Sequence, residues 1–179
     1  PVPRSEDPRL LRGRGRYVDD IVLPRMAFGY VLRSPHAHAR IRSIDSSQAK
    51  DAPGVVAVLT AADWAASGFR DLPSDGGRKK RDGSPMYVPP SMPLAADRVR
   101  RVGDPIAFVV AETRDQAKDA AELVSVDYEP LAAVVDTAEA AAPGAPLVWD
   151  NCPDNVCFVH REGDEPAVAR AFAEAAHVV

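Results

Sequence analysis

The clearest pattern of hydrophobic and polar positions runs from Arg98 to Pro130. Ile106-Ala-Phe-Val-Val110 is unbroken apolar sequence, as expected of a strand covered on both faces. A turn signal, Gly103-Asp-Pro105, precedes it, and a helix signal follows, with Thr113 three residues ahead of Gln116. Beyond that cap, Ala117, Ala120, Ala121 and Val124 recur at i, i+3, i+4 and i+7, while Arg114, Asp115, Lys118, Asp119 and Glu122 point elsewhere. The stripe is narrow and made of small residues, so this helix is expected to lie close against a sheet. A second strand ends at Val126-Asp-Tyr-Glu-Pro130.

The same grammar recurs along the chain. Asp45 with Gln48, Thr60 with Asp63, and Asp136 with Glu139 repeat the capping spacing, in which the first side chain accepts from a free N–H and the second reaches back. Pro53-Gly54 is expected to stop the helix begun at Asp45. Phe28, Tyr30 and Leu32 alternate with Gly29, Val31 and Arg33, which suggests a strand with one face more fully buried. Arg40-Ile-Arg-Ser-Ile44 is a short strand candidate, and Val55-Val-Ala-Val-Leu59 is a second continuous apolar run. Strands alternating with short capped helices predict an α/β or α+β domain around a mixed sheet.

Between Ser67 and Met92 the chain turns rich in Gly, Pro and charge, and an exposed loop over 67–92 is expected. After Ala140 it is Pro- and Ala-rich, then irregular to Gly163. A last helix is predicted from Pro166 to about Ala175, with Val168 and Phe172 on its apolar side. His177-Val-Val179 reads as the start of a strand. The domain division that follows is 1–142 for the body, with its N-terminal arm and loop, and 143–179 for a linker and helix.

Composition narrows the function. A net charge of −4 and 6% aromatic content argue against nucleic-acid or membrane-surface binding. No apolar run approaches the roughly 20 residues of a transmembrane helix. The opening Pro1-Val-Pro carries no leader pattern and no methionine, so a processed or cut start is expected. Cys152 and Cys157, spaced C-x4-C, match neither zinc pairs nor an iron–sulfur set; two free thiols in a reducing, cytoplasmic setting are expected.

Several residues invite a site. His36 and His38, two apart on an extended segment, would point the same way, but two imidazoles fall short of a zinc set, and His160 and His177 have no ligand spacing to them. Gly13-Arg-Gly-Arg-Tyr17 lacks phosphate-loop spacing and reads as an extended arm with tight turns. Arg78-Lys-Lys-Arg81 is expected to be a solvated basic loop. Arg98, Arg100 and Arg101 meet either an acidic neighbouring domain or subunit, or solvent. Gly-x-Ser-x-Gly is absent, and no carboxylate pair stands out. The residues therefore describe an α+β domain with no catalytic, cofactor-binding or metal residues to assign.

Three blocks in order, Arg33-Ser-Pro-His-Ala-His-Ala-Arg40, Pro53-Gly-Val-Val-Ala-Val-Leu-Thr60 and Val102–Pro130, resemble the N-terminal α/β hammerhead domain of molybdenum hydroxylase large subunits. That family spans xanthine dehydrogenase, aldehyde oxidoreductase and aerobic carbon monoxide dehydrogenase. Many relatives have Gly-Glu-Pro where this chain has Gly103-Asp104-Pro105. The resemblance implies a domain that supports cofactor domains and subunit contacts and is not catalytic alone, with residues 143–179 leading toward a molybdopterin-binding domain outside this sequence. It implies a parent enzyme holding molybdenum on molybdopterin, with iron–sulfur clusters and FAD on other domains or subunits. Its expected partners are the molybdopterin-binding domains and the iron–sulfur and flavin subunits. The substrate stays open, since pocket residues would lie elsewhere. The alternative is a stand-alone interaction or ligand-binding module of the same fold.

Overall fold

The computed structural model describes residues 2, 4–74 and 76–178. An exposed arm comes first, with one helical turn, α1 (Asp7–Leu10), and a 3-10 turn at Val18–Asp20. Then come β1 (Phe28–Arg33), β2 (Ala39–Asp45), α2 (Ser47–Lys50), β3 (Val55–Thr60) and α3 (Ala61–Ala66). After the long loop follow β4 (Arg98–Val99), β5 (Pro105–Ala111), α4 (Arg114–Glu122) and β6 (Ser125–Pro130). A final helix, α5, spans Glu165–Glu174. His177 and Val178 form no strand, and Val179 lies outside the described residues.

The α+β class and the short helices agree with the sequence. The strands divide more finely than a single mixed sheet, into two three-stranded sheets ordered β1-β5-β3 and β4-β2-β6. Every pairing between these strands is antiparallel. The reason is chain path: β5 returns between β1 and β3 after the long loop, running against both. As its unbroken apolar run predicts, β5 is central, with Ile106, Ala107, Val109 and Ala111 fully buried. β3 has a similar run but sits at a sheet edge, so two-sided cover fails there: Val56 is 65% and Leu59 42% exposed. Nor is the alternation in β1 clean. Val31 and Leu32 are both half-buried, because Val31 lies opposite Phe108 on the second face.

Packing follows the alanine stripe. Ala120, Ala121 and Val124 form a core cluster with Ala49, Val58 and Val109, and Ala117 is buried beside them. Small side chains let α4 approach the sheet closely. A second cluster holds Ala39, Val99 and Ile106. Leu32, Ile44 and Val126 pack against both clusters and join the two sheets into one core.

Three of the four capping signals make their hydrogen bond, the one from Glu139 N–H to Asp136 Oδ1 being long at 3.4 Å. Thr113 Oγ1 accepts from the Gln116 N–H at 3.2 Å, and Asp63 accepts from the Thr60 N–H at 2.7 Å. Such caps contribute about 1 kcal/mol each. Asp45 instead accepts from the Ser47 N–H at 2.9 Å, one residue ahead of a helix for which Pro53-Gly54 leaves only a single turn. Asp136 caps nothing longer than a 3-10 turn, Glu139–Ala141.

Two glycines are required by geometry. Gly54 turns at φ +76°, and a Cβ there would lie 2.3 Å from the Gln116 side chain. Gly29 lies beneath Phe108, whose ring would be 2.3 Å from an added Cβ. Gly29→Ala is therefore expected to destabilise the fold by about 1–3 kcal/mol, read as a lower urea midpoint. Adding Phe108→Leu should recover part of that loss, since the two sites share one clash; purely additive losses would contradict it.

Candidate functional site

The histidines occupy the corner after β1. Ser34, 2% exposed, holds that corner: its Oγ accepts from the His36 N–H at 3.0 Å, and its carbonyl accepts from the Gly103 N–H at 2.8 Å. The His36 ring tilts against Tyr128, centroids 4.7 Å apart. His38 Nδ1 donates to the Ala132 carbonyl at 2.7 Å, and its Nε2 is buried without a hydrogen-bond partner among the described residues. The two imidazoles thus serve separate partners. His160 lies 3.6 Å from Glu162, and His177 is exposed. Among the described residues, no three His, Cys, Asp or Glu side chains gather as a metal site.

The arginines before β5 meet later residues of the same chain. Arg98, with its side chain 11% exposed, donates twice to Asp150, at 3.0 and 3.3 Å. Arg100 stacks its guanidinium 3.7 Å from the Trp149 ring centroid and donates from Nε to the Val148 carbonyl at 3.1 Å. Burial pulls the Arg100 pKa below its ordinary value, and the group still stays charged. Hydrogen bonding from Arg98, then the charges of Arg98, Arg100 and Arg40, hold the Asp150 carboxyl below the usual range. Arg101 turns outward and pairs with Asp104 at 2.9 Å. Arg98 and Arg100 thus meet residues 148–150 of the same chain, which fold back across β4. A cavity of about 550 Å³ opens beside them, with Pro89, Met92 and Trp149 in its wall.

Asn155 sets this return path. At φ +54° its amide donates to the Ala140 and Pro146 carbonyls, both at 2.9 Å, and accepts from the Val148 N–H. The turn chemistry of Cys152-Pro-Asp-Asn155 was the available signal. Nothing local marked Trp149 or Asp150 as partners of β4.

The basic loop is not simply solvated. Arg78 stacks 4.6 Å over Phe158, Lys80 lies 3.6 Å from Asp154, and the Tyr87 N–H donates to the Cys157 carbonyl. Lys79 and Arg81 face solvent. Cys152 is buried and Cys157 half-buried, both as free thiols; burial pushes the Cys152 thiol up, which disfavours the thiolate. The arm around Gly13–Tyr17 is largely exposed, and Asp19 ties it to Arg114 of α4 at 3.2 Å.

A second, more purely apolar feature was not legible locally. Val31, Phe108 and Leu59 lie side by side across β1, β5 and β3, on the face opposite Val109 and α4. With Trp64, Phe69 and Leu94 they line a groove of about 360 Å³. The Trp64 and Phe69 rings stand 4.8 Å apart, and Phe69 is 62% exposed. Arg33 and Asp63 border it. Hydrogen bonds from Thr60 hold the Asp63 carboxyl below its ordinary value. No helix among the described residues is long and apolar enough to cross a membrane.

A sequence profile described as aldehyde oxidase and xanthine dehydrogenase, a/b hammerhead domain, matches residues 12–132. The chain is 45% identical over 157 residues to the carbon monoxide dehydrogenase large chain of Afipia carboxidovorans, covering 88% of this chain and 18% of that one. It is 40% identical over 184 residues to the nicotine 6-hydroxylase large subunit of Paenarthrobacter nicotinovorans, covering 99% and 21%. A crystal structure of Cu,Mo-CO dehydrogenase superposes with a TM-score of 0.72 at 40% identity, covering 98% of this chain and 22% of that one. The chain therefore spans about a fifth of the length of these relatives.

The Arg98–Asp150 contact yields a pH test. Because the folded-state pKa of Asp150 is depressed, its contribution is full at neutral pH and is lost as pH falls through that value, below about 4. In a Trp64→Phe background, Trp149 emission is expected to change over that acid range. Asp150→Asn should show the altered emission already at pH 7 and lack the acid step. Superimposable curves would show that the pair does not hold the return segment.

Proposed function

The chain belongs to the aldehyde oxidase and xanthine dehydrogenase a/b hammerhead family, and from this premise we propose that it is the hammerhead domain of a molybdenum-dependent hydroxylase or dehydrogenase large subunit. In this reading it supports the cofactor domains and subunit contacts and does not itself perform the chemistry. The observation that carries the proposal is the profile match over 12–132 in a chain spanning about a fifth of its relatives. Residues 1–142 are the hammerhead proper with its arm and loop, and 143–179 are the linker and helix toward a molybdopterin-binding domain. The Arg98–Asp150 and Arg100–Trp149 contacts would then anchor the start of that linker to the hammerhead.

The residues present do not fit a pterin-held molybdenum. The groove wall is chiefly Val31, Leu59, Trp64, Leu94 and Phe108; the Trp64 indole N–H is taken by the Arg70 carbonyl at 3.2 Å, and Arg33 donates to the Gly103 carbonyl, so few donors are left for a pterin's polar edge. In the second cavity Arg98 donates through both terminal nitrogens to Asp150 with its Nε buried and unpartnered among the described residues, Arg100 donates to Val148, and Arg101 pairs through Nε with Asp104, which leaves no converging set of free donors for a pterin. No step through that cofactor is assigned to this chain. The parent enzyme is read as using molybdopterin, with iron–sulfur clusters and flavin on other domains or subunits, in the cytoplasm. Large-subunit names among the relatives support a multi-subunit assembly.

The full-length gene product is expected to encode several hundred further residues and to hold molybdenum by metal analysis. The polypeptide ended at Val179 should hold none and show no dehydrogenase activity. Stoichiometric molybdenum on that short polypeptide, or a stop codon directly after Val179 in the gene, would overturn the proposal.

A further inference from the structure

Cys152 and Cys157 are the two cysteines of the chain, both free thiols, and neither sulfur has a part in the function read above. They bound a six-residue turn that the fold closes tightly. The Cys152 carbonyl accepts from the Asn155 N–H at 3.0 Å, and Asn155, at φ +54°, then reverses the backbone. That reversal sets the Val156 carbonyl 3.7 Å from the Cys152 sulfur, and the same peptide group carries the Cys157 nitrogen. The Cys152 sulfur thus lies one peptide unit from the Cys157 Cα.

Tyr87 spans the ends of this turn. Its N–H donates to the Cys157 carbonyl at 2.9 Å, and its hydroxyl donates to Asn151 Oδ1 at 2.7 Å. One residue of the long loop therefore holds positions 151 and 157 together. The two sulfurs differ in access, since Cys152 is 2% exposed and Cys157 is half-buried. Burial first, and then the neighbouring Cys157, push the Cys152 thiol above its ordinary pKa, so it forms thiolate less readily at neutral pH.

We propose that Cys152 and Cys157 form a reversible intramolecular disulfide, a redox modification site that pins the return segment beside β4, with a small disulfide such as oxidised glutathione as the oxidant. Cys157, the more accessible thiol, loses its proton to water and attacks one sulfur of the oxidant, expelling a small thiolate that takes up a proton. The Cys152 thiol then loses its proton, and its sulfur attacks the Cys157 sulfur of the mixed disulfide. The second small thiolate leaves and is protonated. The two cysteines give up two electrons and two protons, and the oxidant becomes two thiols. The new bond replaces the weak contacts of the Cys152 sulfur with Asp154 and the Val156 carbonyl. It requires Cβ atoms about 4 Å apart, which local adjustment supplies in a turn already closed by Asn155 and Tyr87. In a reducing setting such a pair cycles rather than staying closed. The inference uses residues of this chain alone and stands apart from the large-subunit reading.

The test uses the full-length gene product as purified, equilibrated in glutathione buffers from reduced to oxidised and quenched with iodoacetamide in denaturant. Neither Lys nor Arg occurs between Lys118 and Arg161, so both cysteines fall in one tryptic peptide, 119–161. As the buffer is oxidised, that peptide is expected to pass from two alkyl groups to none, two hydrogens lighter than the dithiol form, and to return on reduction. Cys152→Ser should instead accumulate glutathione on Cys157, and Cys157→Ser should take up about tenfold less. Closing the bond should slow amide exchange over residues 150–157 by about threefold or more. Two alkylated cysteines at every buffer ratio, a disulfide to another molecule as the end product, or faster exchange in the oxidised form would overturn the proposal. Equal glutathione on the two serine variants would overturn Cys157 as the attacking thiol.

Discussion

Burial of β5 between β1 and β3, with the alanine face of α4 laid across it, is the constraint on which the other features depend. A strand whose Ile106, Ala107, Val109 and Ala111 are all removed from water must have its polar backbone groups paired on both edges. β1 and β3 supply those pairs. Close approach of α4 then demands small residues at 117, 120 and 121 and space at Gly54, and close approach of Phe108 demands Gly29. Each requirement is local, yet all follow from one fully buried strand.

The second sheet is joined to that centre through shared side chains rather than shared strands. Leu32, Ile44 and Val126 each contact both core clusters, so neither sheet packs without the other. At the rim, cationic and aromatic contacts take over from apolar burial. Arg98 and Arg100 draw residues 148–150 across β4, Arg78 stacks on Phe158, and Asn155 shapes the returning chain through three amide hydrogen bonds. Four of these cations, Arg78, Lys80, Arg98 and Arg100, thus find partners inside the molecule.

Some of the outward-facing surface is apolar. The groove opposite α4, the exposed side of α5 and the arm residues Leu11, Val18 and Val22 are surfaces without cover among the described residues. Exposed apolar surface of this extent is compatible with the proposed place of the domain inside a larger subunit.

Periodicity in the sequence determined β5, the α4 stripe, the Thr60 and Thr113 caps, and the turns at Gly54 and Gly103, because each rests on residues within a few positions of one another. The order of three short blocks was enough to indicate the family. Tertiary structure alone decided that β3 is an edge while β5 is central, since two similar apolar runs do not state their neighbours. It alone made Asp150 and Trp149 the partners of Arg98 and Arg100, some fifty residues away. It alone gathered Val31, Leu59, Trp64, Phe69, Leu94 and Phe108 into one groove. Strand pairing and ion pairing across such separations are set by how the whole chain closes, and no local pattern carries that information.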